Sequence, residues 1–207
     1  MNRRRAVLWT TCIAALLLGV FAAYLTLRLN EPHRGFQGVD VTGADWGKGF
    51  ELTDHHGKHR TLADFHGKVV MLSFGYTHCP DMCPTTLALL ASALERMGED
   101  ARDVQVLFTT VDPKRDTPQV LAQYVPAFHP TFLGLYADME TTARTAREFK
   151  AYFDLRPPNE NGSYTVDHSG QIYVFDAQGR LRLFVRPDAP ADSIVHDLRL
   201  LLAEARG

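Results

Sequence analysis

The sequence predicts an α/β domain with a mixed central sheet, preceded by one hydrophobic segment that anchors the chain in a membrane. Three observations predict this architecture. Residues 6–27 contain no charge, strand-like and helix-like segments alternate after residue 49, and two cysteines follow an apolar strand-like run. Of the 207 residues, 45% are hydrophobic and 22% are charged. This composition is sufficient for a folded core and is not typical of a disordered chain.

Residues 1–29 are predicted to form a cytoplasmic tip and a transmembrane anchor. Three arginines at positions 3–5 precede the uncharged stretch 6–27, which is long enough to cross a bilayer as a helix. Positive charge ahead of such a stretch favours a cytoplasmic N-terminus with the rest of the chain exported. A cleaved signal peptide stays open as the alternative, because Phe21-Ala22-Ala23 offers a small-residue cleavage site.

Charge is unevenly distributed along the chain. The formal net charge is −2, and because residues 1–29 carry +4, the remaining residues carry −6. A mildly acidic domain lacks the basic surface that nucleic-acid binding requires, so we predict no nucleic-acid partner.

Residues 30–48, which are polar and glycine-rich, are predicted as a linker and lead-in, and residues 49–207 as the folded domain.

Three strands and one helix are predicted in the first half of the domain. An alternating strand at 50–53 is followed by a turn at 54–57. Residues 69–74 form an apolar, β-branched run of the kind that is buried on both faces of a sheet. Residues 85–97 carry apolar side chains at helical spacing, and residues 104–111 form a further strand.

Three helices and the remaining strands are predicted in the second half. Thr117-Pro118 begins a helix, because threonine caps helix N-termini and proline fits the first turn. The other expected elements are a strand at 132–136, a helix from 140 to 153, a loop at 154–163, paired strands at 164–167 and 172–175, a strand at 181–185 and a final helix from 191 to 205.

This order of elements is typical of a thioredoxin-like domain that carries an inserted hairpin. In that architecture a reactive cysteine pair lies at the carboxyl end of the first central strand, at the start of the next helix. Cys79 and Cys83 fall at that point of the chain. Because a helix N-terminus favours negative charge, we expect thiolates there.

The spacing of the two cysteines leaves their chemistry open. Three residues separate Cys79 from Cys83, one more than in a thioredoxin-type Cys-x-x-Cys loop. If the segment is helical, both sulfurs lie on consecutive turns of one face, where they could hold a soft metal ion or oxidise. A purely structural disulfide that closes so short a loop would stabilise the fold only modestly.

Three blocks of sequence together resemble one family. Residues 74–86, FGYTHCPDMCPTT, resemble the signature of the Sco/SenC family of membrane-anchored copper proteins that serve cytochrome c oxidase assembly. Residues 111–118 resemble that family's Asp-x-x-x-Asp loop, and residues 164–169 resemble its Asp-His-Ser block. Three blocks in the right order are more specific than any one of them.

The resemblance implies a metal site of Cys79, Cys83 and His168. Two thiolates and one imidazole form a soft ligand set suited to Cu(I), and to Cu(II) with an added ligand. Zinc also accepts two cysteines and a histidine, but it usually takes a fourth ligand. Asp112 and Asp116 match the acidic loop, which resembles a surface for docking or copper handling. Alternatively, Asp112 starts a turn, and Asp116 or Thr117 caps the helix that follows.

The resemblance also implies function, partners and location. It predicts a metallochaperone without turnover of its own, single-pass in the inner membrane with its domain in the periplasm. This chaperone would receive copper from an upstream donor and deliver it to, or prepare, the Cu-A site of a cytochrome c oxidase subunit. A thiol-disulfide oxidoreductase that reduces the cysteines of a copper-accepting partner stays open. A peroxide-reducing enzyme is weaker, because Thr77 lies only two residues before Cys79 and gives no Thr-x-x-Cys pocket.

Other candidate side chains receive simpler interpretations. His55, His56 and His59 form a local cluster that we expect to be solvated. Asp167 is adjacent to His168 and is a candidate to orient its ring, although neighbours on a strand point to opposite faces. Met82 is a soft ligand by type, but the resemblance assigns it no role.

Overall fold

The computed structural model describes Leu17, Gly19 and residues 35–207. The predicted anchor, residues 6–27, therefore lies outside the described residues except at those two positions, and it stays a prediction. Within the described part of the chain, no helix is both long enough and apolar enough to span a membrane. Residues Phe36–Gly207 form one compact unit, to which the following description applies.

The predicted mixed central sheet is confirmed, and it has eight strands. The strands in chain order are β1 (Val39–Asp40), β2 (Leu52–Asp54), β3 (His59–Arg60), β4 (Val69–Gly75), β5 (Val104–Thr110), β6 (Leu133–Tyr136), β7 (Phe153–Leu155), β8 (Val166–His168), β9 (Ile172–Phe175) and β10 (Leu181–Val185). Their order across the sheet is β1-β10-β9-β4-β5-β6-β2-β3, and β7 pairs with β8 in a separate hairpin. The pairs β4–β5 and β5–β6 are parallel, and the other pairs are antiparallel.

Helices cover both faces of the sheet. They are α1 (Met82–Met97), α2 (Pro118–Tyr124), α3 (Met139–Glu148) and α4 (Ala191–Arg206), with 3-10 turns at Leu62–Phe65, Gly98–Asp103 and Val125–Ala127. Met71 of β4 packs in one buried cluster with Leu90 of α1 and Leu198 of α4. Leu72 packs in a second cluster with Phe149, which follows α3. Because β4 is covered on both faces, all seven of its residues are buried, which explains its uninterrupted apolar sequence.

Helix α3 is shorter than predicted. It ends at Glu148 instead of continuing to residue 153. Lys150 adopts a left-handed backbone conformation, with φ of 52°, and the Ala151 N–H donates to the Ala146 carbonyl at 2.8 Å. This arrangement closes a helix end and usually uses glycine, so the lysine gave no signal for it in the sequence.

The pairing predicted between residues 164–167 and 172–175 is wrong. The observed strand β8 pairs instead with β7, with Phe153 opposite His168 and Leu155 opposite Val166. The predicted loop 154–163 therefore begins as a strand. Strand β9 lies in the central sheet between β4 and β10. The inserted hairpin of the prediction is thus β7–β8, and His168 stands at its end.

The segment before β2 is fixed to the edge of the sheet. Strand β1 lies within the predicted linker and lead-in, residues 30–48, and pairs with β10. The buried Asp197 carboxylate of α4 accepts hydrogen bonds from the backbone N–H groups of Gln37, at 2.8 Å, and Gly38, at 2.7 Å. The chain therefore enters the unit beside α4.

Candidate metal centre

The two cysteines lie on either side of the start of α1. Cys79 precedes the helix in a turn, where its N–H donates to the Tyr76 carbonyl at 3.2 Å. Cys83 is the second residue of α1, and its N–H points at Cys79 Sγ from 3.5 Å. The two sulfurs therefore do not lie on consecutive turns of one helix, as they would if the whole segment were helical, because the helix begins only at Met82.

The Cys83 sulfur packs directly over the end of β4. A Cβ atom at Gly75 would lie 2.6 Å from Cys83 Sγ and 2.7 Å from Phe108 Cε2. Since neither contact is sterically possible, glycine is required for the sulfur to approach the strand this closely. Cys83 is buried and Cys79 is partly exposed, so the Cys79 side of the site is the one that faces solvent.

His168 reaches the sulfurs from the end of the β7–β8 hairpin. Its Nε2 lies 3.4 Å from Cys83 Sγ, and its Nδ1 lies 2.9 Å from the Ser169 carbonyl oxygen. A carbonyl can only accept, so the ring carries its proton on Nδ1 and presents the Nε2 lone pair to the cysteines. The Tyr76 ring stands perpendicular to the imidazole at 5.8 Å between centroids and holds its orientation.

Together these groups make a site of suitable size for one metal ion. The two sulfurs and a nitrogen of His168 all lie within 4.8 Å of one another, and among residues 35–207 no other cluster of three such groups is present. Two atoms that each bind one ion at about 2.3 Å can be about 4.6 Å apart, so small side-chain rotations bring all three into range. Their soft character fits copper.

Burial controls the protonation of Cys83. Removal from solvent raises the pKa of this thiol far above its usual value, and the nearby Cys79 adds to the effect. The expectation of a thiolate at the helix start is therefore wrong for Cys83, because loss of solvation outweighs the helix N-terminus. An incoming metal ion must displace the proton.

Comparison with known proteins agrees with the three sequence blocks. The family model described as SCO1/SenC matches residues 40–203. The chain belongs to the SCO1/SenC family. The protein SCO2 homolog, mitochondrial, of Bos taurus is 37% identical over 98% of this chain and 77% of its own length.

Solved structures show the same fold. The copper-bound ScoI of Bradyrhizobium japonicum matches with a TM-score of 0.69 and 37% identity, over 75% of this chain and 98% of that one. BsSco, described as a member of the Sco family of cytochrome c oxidase assembly proteins, matches with a TM-score of 0.61 over 80% of this chain and 98% of that one. At 19% identity, this second match supports the fold alone.

In this SCO1/SenC chain, Asp116 fixes the segment that leads to the cysteines. Its buried carboxylate accepts hydrogen bonds from the N–H of Thr77 at 3.0 Å and from its hydroxyl at 2.6 Å. The Thr110 hydroxyl donates to the same carboxylate at 2.6 Å. The loop after β5 thus holds in place the segment between β4 and α1 that carries Cys79.

Asp112 fixes the segment that leads to the histidine. Its buried carboxylate pairs with the Arg115 guanidinium and accepts a hydrogen bond from the Tyr164 hydroxyl at 2.9 Å. The Arg115 guanidinium also donates to the Tyr164 carbonyl at 2.8 Å and stacks on the Tyr164 ring at 3.5 Å. Since Asp112 and Asp116 are both buried, their interpretation as a docking surface is wrong.

The turn-and-cap interpretation of this acidic loop is confirmed in part. The Arg115 and Asp116 N–H groups donate to the Asp112 carbonyl, which forms the turn. The helix cap is Thr117, whose hydroxyl accepts from the Val120 N–H at 3.3 Å. Asp116 does not cap α2, because its carboxylate is directed at Thr77 and Thr110.

Two further candidates lie apart from the site chemistry. The Asp167 carboxylate pairs with Arg156 on the exposed side of the hairpin, so its proposed role in orienting His168 is wrong. His55 is buried and its Nδ1 accepts the Gly134 N–H at 2.9 Å, so the expectation that it is solvated is also wrong. His55 is a structural residue.

Sequence reasoning missed the residues that hold the site together. These are Gly75, Tyr76, Arg115 and Tyr164, which lie inside the three motif blocks but received no role. A glycine at the end of a buried strand is a recognisable signal for close approach of another group. The contact of Arg115 with Tyr164 joins segments far apart in the sequence and left no local signal.

Proposed function

We propose that this protein is a membrane-anchored copper chaperone that serves cytochrome c oxidase assembly. In this proposal Cys79, Cys83 and His168 bind copper, as Cu(I) or Cu(II), and residues 6–27 anchor the chain in the inner membrane with its domain in the periplasm. The observation that supports it most directly is the convergence of three soft ligand atoms within 4.8 Å. The copper-bound relative from Bradyrhizobium japonicum supports the choice of metal.

The three ligands divide the work of holding and releasing copper. Cys83 is buried against Gly75 and provides a fixed ligand, while His168 presents Nε2 because its Nδ1 is held by the Ser169 carbonyl. Cys79 is partly exposed, so an acceptor ligand can reach the ion from its side. Release to a Cu-A site of the oxidase subunit then proceeds by ligand exchange at that open side. An upstream donor would load copper by the same route.

Thiol-disulfide exchange is the second candidate, and one observation favours it. The cysteine sulfurs are close, and the Cys83 N–H is directed at Cys79 Sγ from 3.5 Å. The Cys79 thiolate would attack a partner disulfide and form a mixed disulfide. Cys83, after losing its proton, would then attack Cys79, so that the partner leaves as a dithiol and this protein holds the disulfide. Two electrons pass to the partner.

Copper titration of a histidine variant separates the two candidates. The full chain in detergent, reduced and free of oxygen, is titrated with Cu(I) against a chelator. We expect His168→Ala to lower the Cu(I) affinity by more than about 100-fold, a larger loss than substitution of a residue outside the coordination shell usually causes. The Cys79–Cys83 pair of this variant should still form a disulfide and be reduced again. His129→Ala is the matched control, because His129 is engaged with Thr131 outside the site.

The result also has an outcome that rejects the chaperone proposal. If His168→Ala binds copper as tightly as the unaltered chain, His168 is not a ligand and the oxidoreductase becomes the better account. Copper transfer is tested separately, by mixing the copper-loaded chain with a Cu-A domain and recording the absorption of the assembled Cu-A centre.

A further inference from the structure

Ser73 places an unpaired hydroxyl beside the metal centre. It is the one hydroxyl-bearing residue in β4, and only 5% of its surface is exposed. Among the described residues, no hydrogen-bond partner reaches its Oγ, which is itself buried. Buried hydroxyls without partners are uncommon in folded proteins, because they lose their bonds to water without replacement.

The position of this hydroxyl connects it with Cys83. Ser73 lies two residues before Gly75, so both point to the sheet face that the Cys83 sulfur covers. A small cavity of about 10 Å³ lies there, and its lining includes Ser73, Cys83 and His168. That volume is roughly what one water molecule needs.

Copper binding changes how strongly the Cys83 sulfur accepts hydrogen bonds. A thiol sulfur is a weak hydrogen-bond acceptor. When copper binds, the S–H bond breaks, the proton leaves to solvent and the metal–sulfur bond forms without change of oxidation state. The sulfur is then an anionic ligand and a much stronger acceptor in a site with little water.

We propose that the Ser73 hydroxyl donates a hydrogen bond to the Cys83 sulfur in the metal-loaded site, directly or across one water molecule. Ser73 is in this account a positioning residue that stabilises the metal–thiolate bond and is left unpaired when the metal departs. The inference rests on the proposed copper site. It explains why a hydroxyl occupies a strand that is otherwise apolar on both faces.

The neighbouring strand provides a matched control. Thr109 of β5 also carries a buried hydroxyl with no partner among the described residues. It lies opposite Phe74 in the β4–β5 register, so it points to the sheet face away from the Cys83 sulfur. Thr109→Val removes an equivalent hydroxyl without touching the metal centre.

The test compares Ser73→Ala, Ser73→Thr and Thr109→Val in the full chain. We expect Ser73→Ala to weaken Cu(I) binding about tenfold and to move the thiolate-to-Cu(II) absorption to longer wavelength, because a donor to the anionic sulfur is lost. The metal-free Ser73→Ala chain should unfold at the same or a higher temperature, since an unpaired hydroxyl is removed. Ser73→Thr should restore affinity and absorption, and Thr109→Val should leave both unchanged.

The outcomes distinguish this inference from the copper proposal. Unchanged affinity and absorption in Ser73→Ala, or failure of Ser73→Thr to restore them, would overturn the role of Ser73 while the copper site stands. An unaltered chain that fails to bind Cu(I) would overturn both.

Discussion

The Asp116 carboxylate accepts two hydrogen bonds from Thr77, one from the backbone N–H at 3.0 Å and one from the hydroxyl at 2.6 Å. Asp116 follows β5 and Thr77 follows β4, so these bonds join the ends of two parallel strands. The contact fixes the chain two residues before Cys79. The position of the first candidate ligand therefore depends on an acid far away in the sequence.

The first prediction concerns this acid. Asp116→Asn replaces one accepting oxygen by a donor and removes the charge that strengthens the bonds to Thr77. We expect a loss of about 1–3 kcal/mol in the free energy of unfolding, measured by urea denaturation, together with weaker copper binding. Asp138→Asn is the control, because Asp138 caps α3 at the surface and asparagine caps equally well. Equal stability of the two variants would contradict the prediction.

The second prediction concerns the contact between Gly75 and Cys83. A Cβ added at Gly75 would meet Cys83 Sγ at 2.6 Å, so Gly75→Ala must displace the sulfur or the strand. We expect about 1–3 kcal/mol of destabilisation, typical of overpacking, and a large loss of copper stoichiometry. Gly49→Ala meets no atom within 4 Å and serves as control. A Gly75→Ala chain with normal copper content would show that the sulfur is free to move.

The third prediction concerns Arg115, which joins Asp112 to Tyr164. Lysine keeps the charge but has no planar fork with which to bond the Asp112 carboxylate and the Tyr164 carbonyl together. We expect Arg115→Lys to loosen the segment that carries His168 and to speed copper dissociation. Hydrogen exchange of the Ser169 N–H, which is bonded to the Tyr152 carbonyl at 2.9 Å, measures the loosening.

An arginine within the same hairpin region provides the control for this prediction. Arg156 pairs with Asp167 at the exposed surface, where ion pairs contribute little to stability. Arg156→Lys should leave both the exchange rate and copper dissociation unchanged. If Arg115→Lys behaves in the same way, the Asp112–Arg115–Tyr164 contacts do not position the histidine.

The fourth prediction is a pH dependence that arises from Cys83. Burial raises the pKa of this thiol, so copper displaces a proton from it at neutral pH. Between about pH 7 and 8.5, Cys83 alone should make the apparent affinity rise about tenfold per pH unit. Calorimetry in buffers of different ionisation enthalpy counts the released protons. Cys83→Ser should release one proton fewer, and an affinity independent of pH would contradict the assignment.

In the metal-free chain, the same thiol should make the free energy of unfolding fall as the pH rises. Since the pKa of Cys83 is higher in the folded state than the value of about 8.5 for a free thiol, the folded chain binds more protons at alkaline pH. The contribution to stability is complete below about pH 8.5 and is lost above it, by up to about 1.4 kcal/mol per pH unit. Urea denaturation at pH 8 and pH 10 measures this loss, and Cys83→Ser should reduce it.

Local sequence patterns predicted most of the elements. The apolar run at 69–74 matches β4, and Thr117-Pro118 marks the start of α2. These signals succeed because each depends on neighbours within a few residues. The end of α3 was missed, since Lys150 takes a backbone conformation that usually requires glycine.

The sequence by itself determined the family, the order of most strands and helices along the chain, and the candidate ligands Cys79, Cys83 and His168. The tertiary structure decided that β8 pairs with β7, that Asp112 and Asp116 point inward, and that Cys83 is buried beside Ser73. Residue types and short spacings are written along the chain. Strand partners, burial and thiol pKa depend on segments that meet only after folding, and no local pattern records them.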